Sequence, residues 1–101
     1  MDEKQRLTEE YLKISLMEES AEICQALSKM WRFGPNTEFN GVSNIDHLVV
    51  EIADLLAIID LLAKHKIIPQ PLGEKMFTLK KAKTTRLKDY LERYINQHLK
   101  Q

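Results

Sequence analysis

The fold is decided by residues 44–67, which read NIDHLVVEIADLLAIIDLLAKHKI. At about 100° per residue of helix, one broad apolar stripe forms from Ile45, Leu48, Ile52, Leu55, Leu56, Ile59 and Ala63. Nearly opposite lie Val50, Ala57 and Leu61. A helix that is apolar on two faces is buried on two faces. We therefore expect a second copy of the chain to cover the side of Val50, Ala57 and Leu61, although the central helix of a monomer would show the same pattern.

The rest of the chain divides at its glycine and proline residues, which lie at Gly34-Pro35, at Gly41 and within residues 69–73. The intervening stretches contain neither residue type and predict helical blocks at about 3–32, 44–67 and 73–99. A capping box over residues 15–18 favours a break of the first block near Ser15. No strand pattern is visible. The sequence predicts an all-α bundle of three to four helices, formed by residues 1–101 as a single domain and completed by oligomerisation.

Composition narrows the class of protein. The 101 residues include 15 basic and 15 acidic side chains, so the formal net charge is zero and a general nucleic-acid binder is disfavoured. Cys24 is the single cysteine, which suits a reducing cytosol. The amino terminus shows no signal pattern, and acidic residues interrupt the most apolar stretch, residues 48–63. We expect a cytoplasmic protein with no membrane or nucleic-acid partner.

Acidic residues occur where the middle helix should be buried. Glu51 and Asp54 are three residues apart and so lie on one side, between the two apolar faces. The same gap holds Ile58 and Leu62, which indicates that it is at least partly buried.

A second group of carboxylates, Glu18, Glu19 and Glu22, borders the apolar face of the first block. Carboxylates held together near a region of low dielectric repel each other unless a positive charge lies among them. Mg²⁺ prefers a few carboxylates together with water and the phosphates of a substrate. The two groups therefore predict a magnesium site, while ordinary solvated surface acids remain the alternative.

The two acidic groups together resemble the signature of a known family. Residues 18–22 read EESAE and residues 51–54 read EIAD. This pattern is similar to Glu-Glu-x-x-Glu followed by Glu-x-x-Asp on the next helix, the signature of the MazG-like all-alpha nucleoside triphosphate pyrophosphohydrolases. That family includes dimeric dUTPases and dCTP pyrophosphatases. The resemblance spans about residues 8–66, and residues 25–34, QALSKMWRFG, are similar to a stretch of its small members.

The resemblance implies an activity and a ligand set. Glu19, Glu22, Glu51 and Asp54 would be the catalytic residues and the ligands of Mg²⁺, for which Mn²⁺ could substitute, and Glu18 would support them from outside. The implied reaction cleaves a nucleoside triphosphate between its α- and β-phosphates and releases a monophosphate and pyrophosphate. Which carboxylate orients the attacking water stays open. The resemblance also implies a homodimer or homotetramer.

Residues for the distal phosphates are less clearly marked. Family members often carry a Lys/Asn/Arg set after the second motif, whereas this chain has a diffuse basic run at Lys80, Lys81, Lys83 and Arg86. Lys29 and Arg32 on the first block compete for that role, and a solvated basic face is the alternative for the later run.

Three further features are compatible with a nucleotide site. Trp31 could stack on a base or pack in the core. His47 lies one turn before Glu51 and could touch a metal or a phosphate. The polar loop over residues 34–43 could fold over a nucleotide or be a simple connector. The competing hypothesis for the whole chain is a non-catalytic helical oligomer that serves as an interaction or regulatory module.

Overall fold

The structure, a computed structural model, describes residues 2–69 and 72–100. It is mostly helical, with α1 at Glu3–Phe33, α2 at Asn44–Lys64 and α3 at Leu72–Leu99, which confirms the all-α prediction. Two short strands, β1 at Glu38–Phe39 and β2 at Val42–Ser43, lie between α1 and α2. The chain divides into two compact units, Met1–Ile68 and Pro69–Gln101. The single domain over residues 1–101 stays a prediction.

The first helix is continuous, so the predicted break near Ser15 is wrong. The Ser15 hydroxyl donates a 2.8 Å hydrogen bond to the carbonyl of Tyr11, one turn earlier in the same helix. It therefore bonds within α1 and does not cap a new helix. The helix begins after Asp2, whose carboxylate accepts from the backbone N–H of Gln5 while the Gln5 side chain accepts from the backbone N–H of Asp2. This reciprocal pair is the capping box that starts α1.

The expectation of a fold without strands is also wrong in one place. Strands β1 and β2 pair antiparallel, with Phe39 opposite Val42. The turn between them is Asn40-Gly41, with φ of +54° and +80°. Two successive residues with positive φ are typical of the two-residue hairpin turn, for which Asn-Gly is the strongest sequence signal. The hairpin occupies part of the loop between the first two helices.

Helices α1 and α2 form the first unit together with the hairpin. Ser43 caps α2 by accepting a hydrogen bond from the backbone N–H of Asp46. Asn44 ties α2 to the end of α1, because its Nδ2 donates to the carbonyl of Gly34 at 2.9 Å. The helix ends at Lys64, three residues before the predicted boundary. The buried apolar residues are Leu12, Ala26, Leu48, Leu62 and Ala63.

The buried face of α2 includes the gap that holds Glu51. Glu51 and Leu62 are buried, as expected for a gap that is at least partly covered, and Leu48 of the adjoining apolar stripe is buried beside them. Apolar residues on both flanks of this face stay exposed, namely Ile45, Ile52 and Leu56 on one flank and Val50, Ala57 and Leu61 on the other. The first unit therefore carries two apolar surfaces in contact with water.

Among the described residues of the second unit, the regular secondary structure is helix α3. Apolar residues recur at helical spacing on α3 and are exposed, namely Leu87, Tyr90, Leu91, Tyr94 and Ile95. Over residues 2–69 and 72–100, no helix combines the length and the hydropathy needed to cross a membrane.

Candidate metal centre

Three of the predicted carboxylates meet between α1 and α2. Glu19, Glu22 and Glu51 each offer one oxygen, and these three oxygens lie within 4.8 Å of one another. Glu19 and Glu22 are three residues apart on α1 and so lie on one side of it, and their oxygens approach that of Glu51 on α2. Helix α2 places Glu51 opposite them through the same face that buries Leu48 and Leu62. We call this group the carboxylate cluster.

Two oxygens of the cluster are buried without a hydrogen bond. When all three carboxyl groups are ionised, Glu19 Oε2 and Glu51 Oε2 are out of contact with water and have no hydrogen-bond partner among the described residues. Only 10% of the Glu51 side chain is exposed. Buried polar atoms are normally paired, and an orphaned one calls for an explanation such as a missing ion. The second oxygen of Glu51, Oε1, lies 3.1 Å from His47 Nε2, which holds the carboxylate with Oε2 left for the cluster.

The close approach of the three groups shifts their pKa values. Burial raises the pKa of Glu19 to about 7, with added effects from hydrogen bonding to Glu51 and from the charge of Glu22. Hydrogen bonding to Glu51 and the charge of Glu51 raise the pKa of Glu22. Hydrogen bonding from Glu22 holds the pKa of Glu51 below its usual value against the opposing effect of burial, and Glu19 and His47 act in the same direction as Glu22.

These directions describe carboxyl groups that compete for protons. Ionised carboxylates cannot donate hydrogen bonds to each other, so without a cation the repulsion is relieved when Glu19 or Glu22 takes up a proton and donates a hydrogen bond to the Glu51 carboxylate. A divalent cation offers the same relief while all three remain ionised.

The other predicted acidic residues lie beside the cluster. Asp54 is exposed on α2 and is not one of the three residues whose oxygens meet, although its charge contributes to the raised pKa of Glu19. Glu18 is exposed on α1, and its charge contributes to the raised pKa of Glu22. Both therefore add negative potential at the cluster, in keeping with the two motifs.

The predicted phosphate and base residues divide between the two units. Lys29 lies on α1 two turns after Glu22, on the same side, and its Nζ is 5.9 Å from the centre of the Phe39 ring. Arg32 is exposed and stacks over Phe33 at 5.2 Å. Trp31 is 91% exposed and, nine residues after Glu22, faces away from the cluster. Lys80, Lys81 and Lys83 belong to α3 in the second unit, so their role stays a prediction.

Phe39 and the side chain of Asn44 lie near the site, although no sequence motif predicted them there. Both line a small cavity at the end of the α1–α2 pair, next to His47. The Asn40-Gly41 dipeptide could have revealed this arrangement, because a tight hairpin turn places the residues before and after it in register. Because no strands were expected between the first two helices, Asn40-Gly41 was not interpreted as a hairpin turn.

Comparisons of the chain with protein-family models, with curated proteins and with solved structures found no match. The family resemblance therefore rests on the two acidic motifs and stays a prediction.

The raised pKa of Glu19 predicts how the metal-free protein responds to pH. A carboxyl whose pKa is higher in the folded state stabilises the fold at low pH, and this contribution is lost as pH rises through the folded-state value. In EDTA, the melting temperature should therefore fall between about pH 5 and about pH 8. The lowered pKa of Glu51 affects the stability of the fold in a different pH range, below the ordinary pKa of a glutamate. Glu19→Gln should flatten the fall, and an equally steep fall in this variant would contradict the assignment.

Proposed function

We propose that this chain is a Mg²⁺-dependent nucleoside triphosphate pyrophosphohydrolase. The observation that carries the proposal is the carboxylate cluster, with its orphaned oxygens Glu19 Oε2 and Glu51 Oε2. Three ionised carboxylates packed together destabilise the fold through repulsion and desolvation, and a divalent cation bound among them removes that cost. The resemblance to the MazG-like family supplies the reaction.

The donor set fits a hard divalent cation. Glu19, Glu22 and Glu51 offer only carboxylate oxygens, the ligands that Mg²⁺ and Mn²⁺ accept, and there is no cysteine among them. The resemblance adds Asp54 to this set. When bound, Mg²⁺ would neutralise the charge that develops on the phosphate oxygens.

The side chains around the cluster have separate tasks in this proposal. His47 donates from Nε2 to Glu51 Oε1 and fixes the orientation of that carboxylate. Asp54 is the exposed member of the second motif, so we assign to it the orientation of the attacking water and the acceptance of its proton. The water oxygen bonds to the α-phosphorus, and the bond from that phosphorus to the bridging oxygen breaks. The products are a nucleoside monophosphate and pyrophosphate.

The distal phosphates require cationic groups. Lys29 is the best placed within the first unit, since it lies on the cluster side of α1. Arg32 is the next candidate on the same helix, and Lys80, Lys81 and Lys83 remain proposed contacts from α3. A homodimer or homotetramer is part of the same proposal, because both flanks of the buried face of α2 are apolar and exposed.

Pyrophosphate release is the direct test. With millimolar Mg²⁺, the protein should release pyrophosphate from at least one nucleoside triphosphate in a panel of ribo- and deoxyribonucleotides. Mn²⁺ should support the reaction, and excess EDTA should stop it. Activity that survives EDTA would contradict the metal requirement, whereas a complete absence of release with either metal would favour the non-catalytic oligomer, which the exposed apolar flanks also suit.

A further inference from the structure

The net charge of zero, which disfavours a general nucleic-acid binder, is the sum of two opposite contributions. The first unit contains 7 basic and 12 acidic residues, whereas the second unit contains 8 basic and 3 acidic residues. A stretch of α3 over residues 75–88 has no acidic residue and six basic ones, namely Lys75, Lys80, Lys81, Lys83, Arg86 and Lys88. A basic stretch of this density on one helix is typical of a surface that binds a polyanion.

These six cations are exposed and carry no ion pair within the described residues. The ion pair that the structure shows on α3 joins Arg93 to Asp89 at 2.9 Å, outside the basic stretch. Residues 75 and 88 are about 20 Å apart along the helix axis, so a positive charge occurs about every 4 Å. Phosphates follow each other at about 3.4 Å along one strand of a nucleic acid. The density of positive charge on α3 is therefore close to that of a line of phosphates.

Four of the cations share one side of α3 with two tyrosines. At about 100° per residue, Lys83 lies within about 20° of the direction of Tyr90. Lys81 and Lys88 lie on the opposite side of the helix. The surface that we call the cation–tyrosine face consists of Lys75, Lys80, Lys83, Arg86, Tyr90 and Tyr94.

The tyrosines supply exposed aromatic surface directly after the cations. Tyr90 is 54% exposed and Tyr94 is 60% exposed. Aromatic side chains beside a positively charged groove bind unpaired bases by stacking, whatever the base. In a duplex, the bases are already paired and stacked on each other. The two tyrosines therefore favour a single strand over a duplex.

The same face does not suit a lipid surface. A helix that lies on a membrane keeps one face apolar along its length. On α3, Lys80 lies two turns before Leu87, and Lys83 lies two turns before Tyr90. The face that is apolar after residue 87 is thus cationic before it. A single strand fits both halves, because it carries phosphates and bases side by side.

We infer that the cation–tyrosine face of α3 binds single-stranded nucleic acid, with phosphates at its cations and bases on Tyr90 and Tyr94. The inference does not rest on the proposed function, because no residue of the carboxylate cluster takes part. Stacking and phosphate contacts are independent of sequence, so any base order should bind. Lys80 and Lys83 are also proposed contacts of the distal phosphates, and binding is therefore measured without triphosphate.

Fluorescence anisotropy in EDTA measures the contact directly. The full chain is titrated into labelled thymidylate and uridylate strands of about 20 nucleotides, longer than the usual site of a single-strand binding module, and into a duplex of the same length. At least one single strand should bind, and more tightly than the duplex. If four phosphates are neutralised, its affinity should fall about 50-fold between about 50 and about 200 mM salt. Failure of both strands to bind at the lower salt, or equal binding of the duplex, would overturn the inference.

Matched variants test which side of α3 binds. Lys83→Glu reverses a charge on the cation–tyrosine face, and Lys88→Glu makes the same change on the opposite side. At about 50 mM salt, Lys83→Glu should weaken binding about tenfold or more, and Lys88→Glu no more than about threefold. Tyr90→Ala should weaken it about fivefold or more, whereas Tyr11→Ala removes an exposed tyrosine of α1 and should leave it unchanged. Circular dichroism should show that all four variants are folded. Equal losses within either pair would contradict the assigned face.

Two other occupants of this face would give different results. If vesicles that contain phosphatidylserine bind the protein and the strands do not, the occupant is a lipid surface and the inference is wrong. It is also wrong if the strands do not bind and the mass in light scattering falls as salt is raised, because α3 would then pack on the acidic first unit of a second copy. Pyrophosphate release tests the proposed function independently of these outcomes.

Discussion

Glu51→Gln is expected to reduce pyrophosphate release by about 100-fold or more, because loss of a direct ligand should exceed the 10–100-fold typical of groups that only support ligands. The substitution keeps the size of the side chain and retains an oxygen that can accept from His47. It removes one of the three charges that draw a cation into the cluster. Metal affinity should fall with turnover, while folding should survive because the repulsion among the carboxylates is smaller.

Melting experiments separate this effect from simple loss of structure. A ligand that binds only the folded state at 100 times its Kd stabilises the fold by about 2.7 kcal/mol. For a domain of this size, that corresponds to a rise in melting temperature of about 10–20 °C. The wild type should show such a rise in Mg²⁺, and Glu51→Gln should show little of it. The variant in EDTA should melt no lower than the wild type in EDTA.

Two further substitutions make the comparison sharper. Asp60→Asn removes an exposed charge from the opposite side of α2 and should leave activity and the Mg²⁺ response intact. Asp54→Asn should impair turnover strongly, because Asp54 is assigned to the attacking water. If Glu51→Gln retains both the melting shift and the activity of Asp60→Asn, the cluster does not bind the metal and the proposed enzyme loses its mechanism.

The sequence alone predicted more of the candidate site than of the local details of the fold. Helical spacing alone places Glu19 with Glu22 and Glu51 with Asp54, because residues three apart share a side at any position in a helix. That the gap holding Glu51 would be at least partly buried followed from Ile58 and Leu62 in the same gap. Which of these four carboxylates come together depends on how the two helices are rotated and at what angle they cross. The packing sets those quantities, and it brings Glu51 rather than Asp54 into the cluster.

The start of the first helix shows why the predicted break failed. The chain contains a capping pattern at Asp2 with Gln5 and another at Ser15 with Glu18, and either could begin a helix. A serine inside a helix has a second option, a hydrogen bond to the carbonyl four residues earlier, and Ser15 takes it. The choice depends on whether the backbone before Ser15 is already helical. A continuous helix also lets Leu12 and Ala26 pack in one core.

Ala57→Arg is expected to convert the assembled protein into a monomer and to lower its melting temperature by about 10 °C or more. Ala57 is exposed on α2, between Val50, which is 52% exposed, and Leu61, which is 41% exposed. Full burial of such side chains contributes about 1.5–3 kcal/mol each, so the exposed half of each still has about 1 kcal/mol to gain in each copy. An arginine between them places a charge where a second copy should pack.

The same side chain on the polar side of the helix provides the control. Asp60→Arg adds an arginine at an exposed position among Asp46 and Lys64, where no partner is expected. This variant should keep the mass of the wild type in light scattering at micromolar concentration. If the wild type is itself a stable monomer, or if Ala57→Arg keeps the wild-type mass, the side of Val50, Ala57 and Leu61 is not the interface. The small core of the first unit would then have to be stable with that apolar surface in water. This experiment therefore tests the proposed oligomer, whereas pyrophosphate release tests the proposed enzyme.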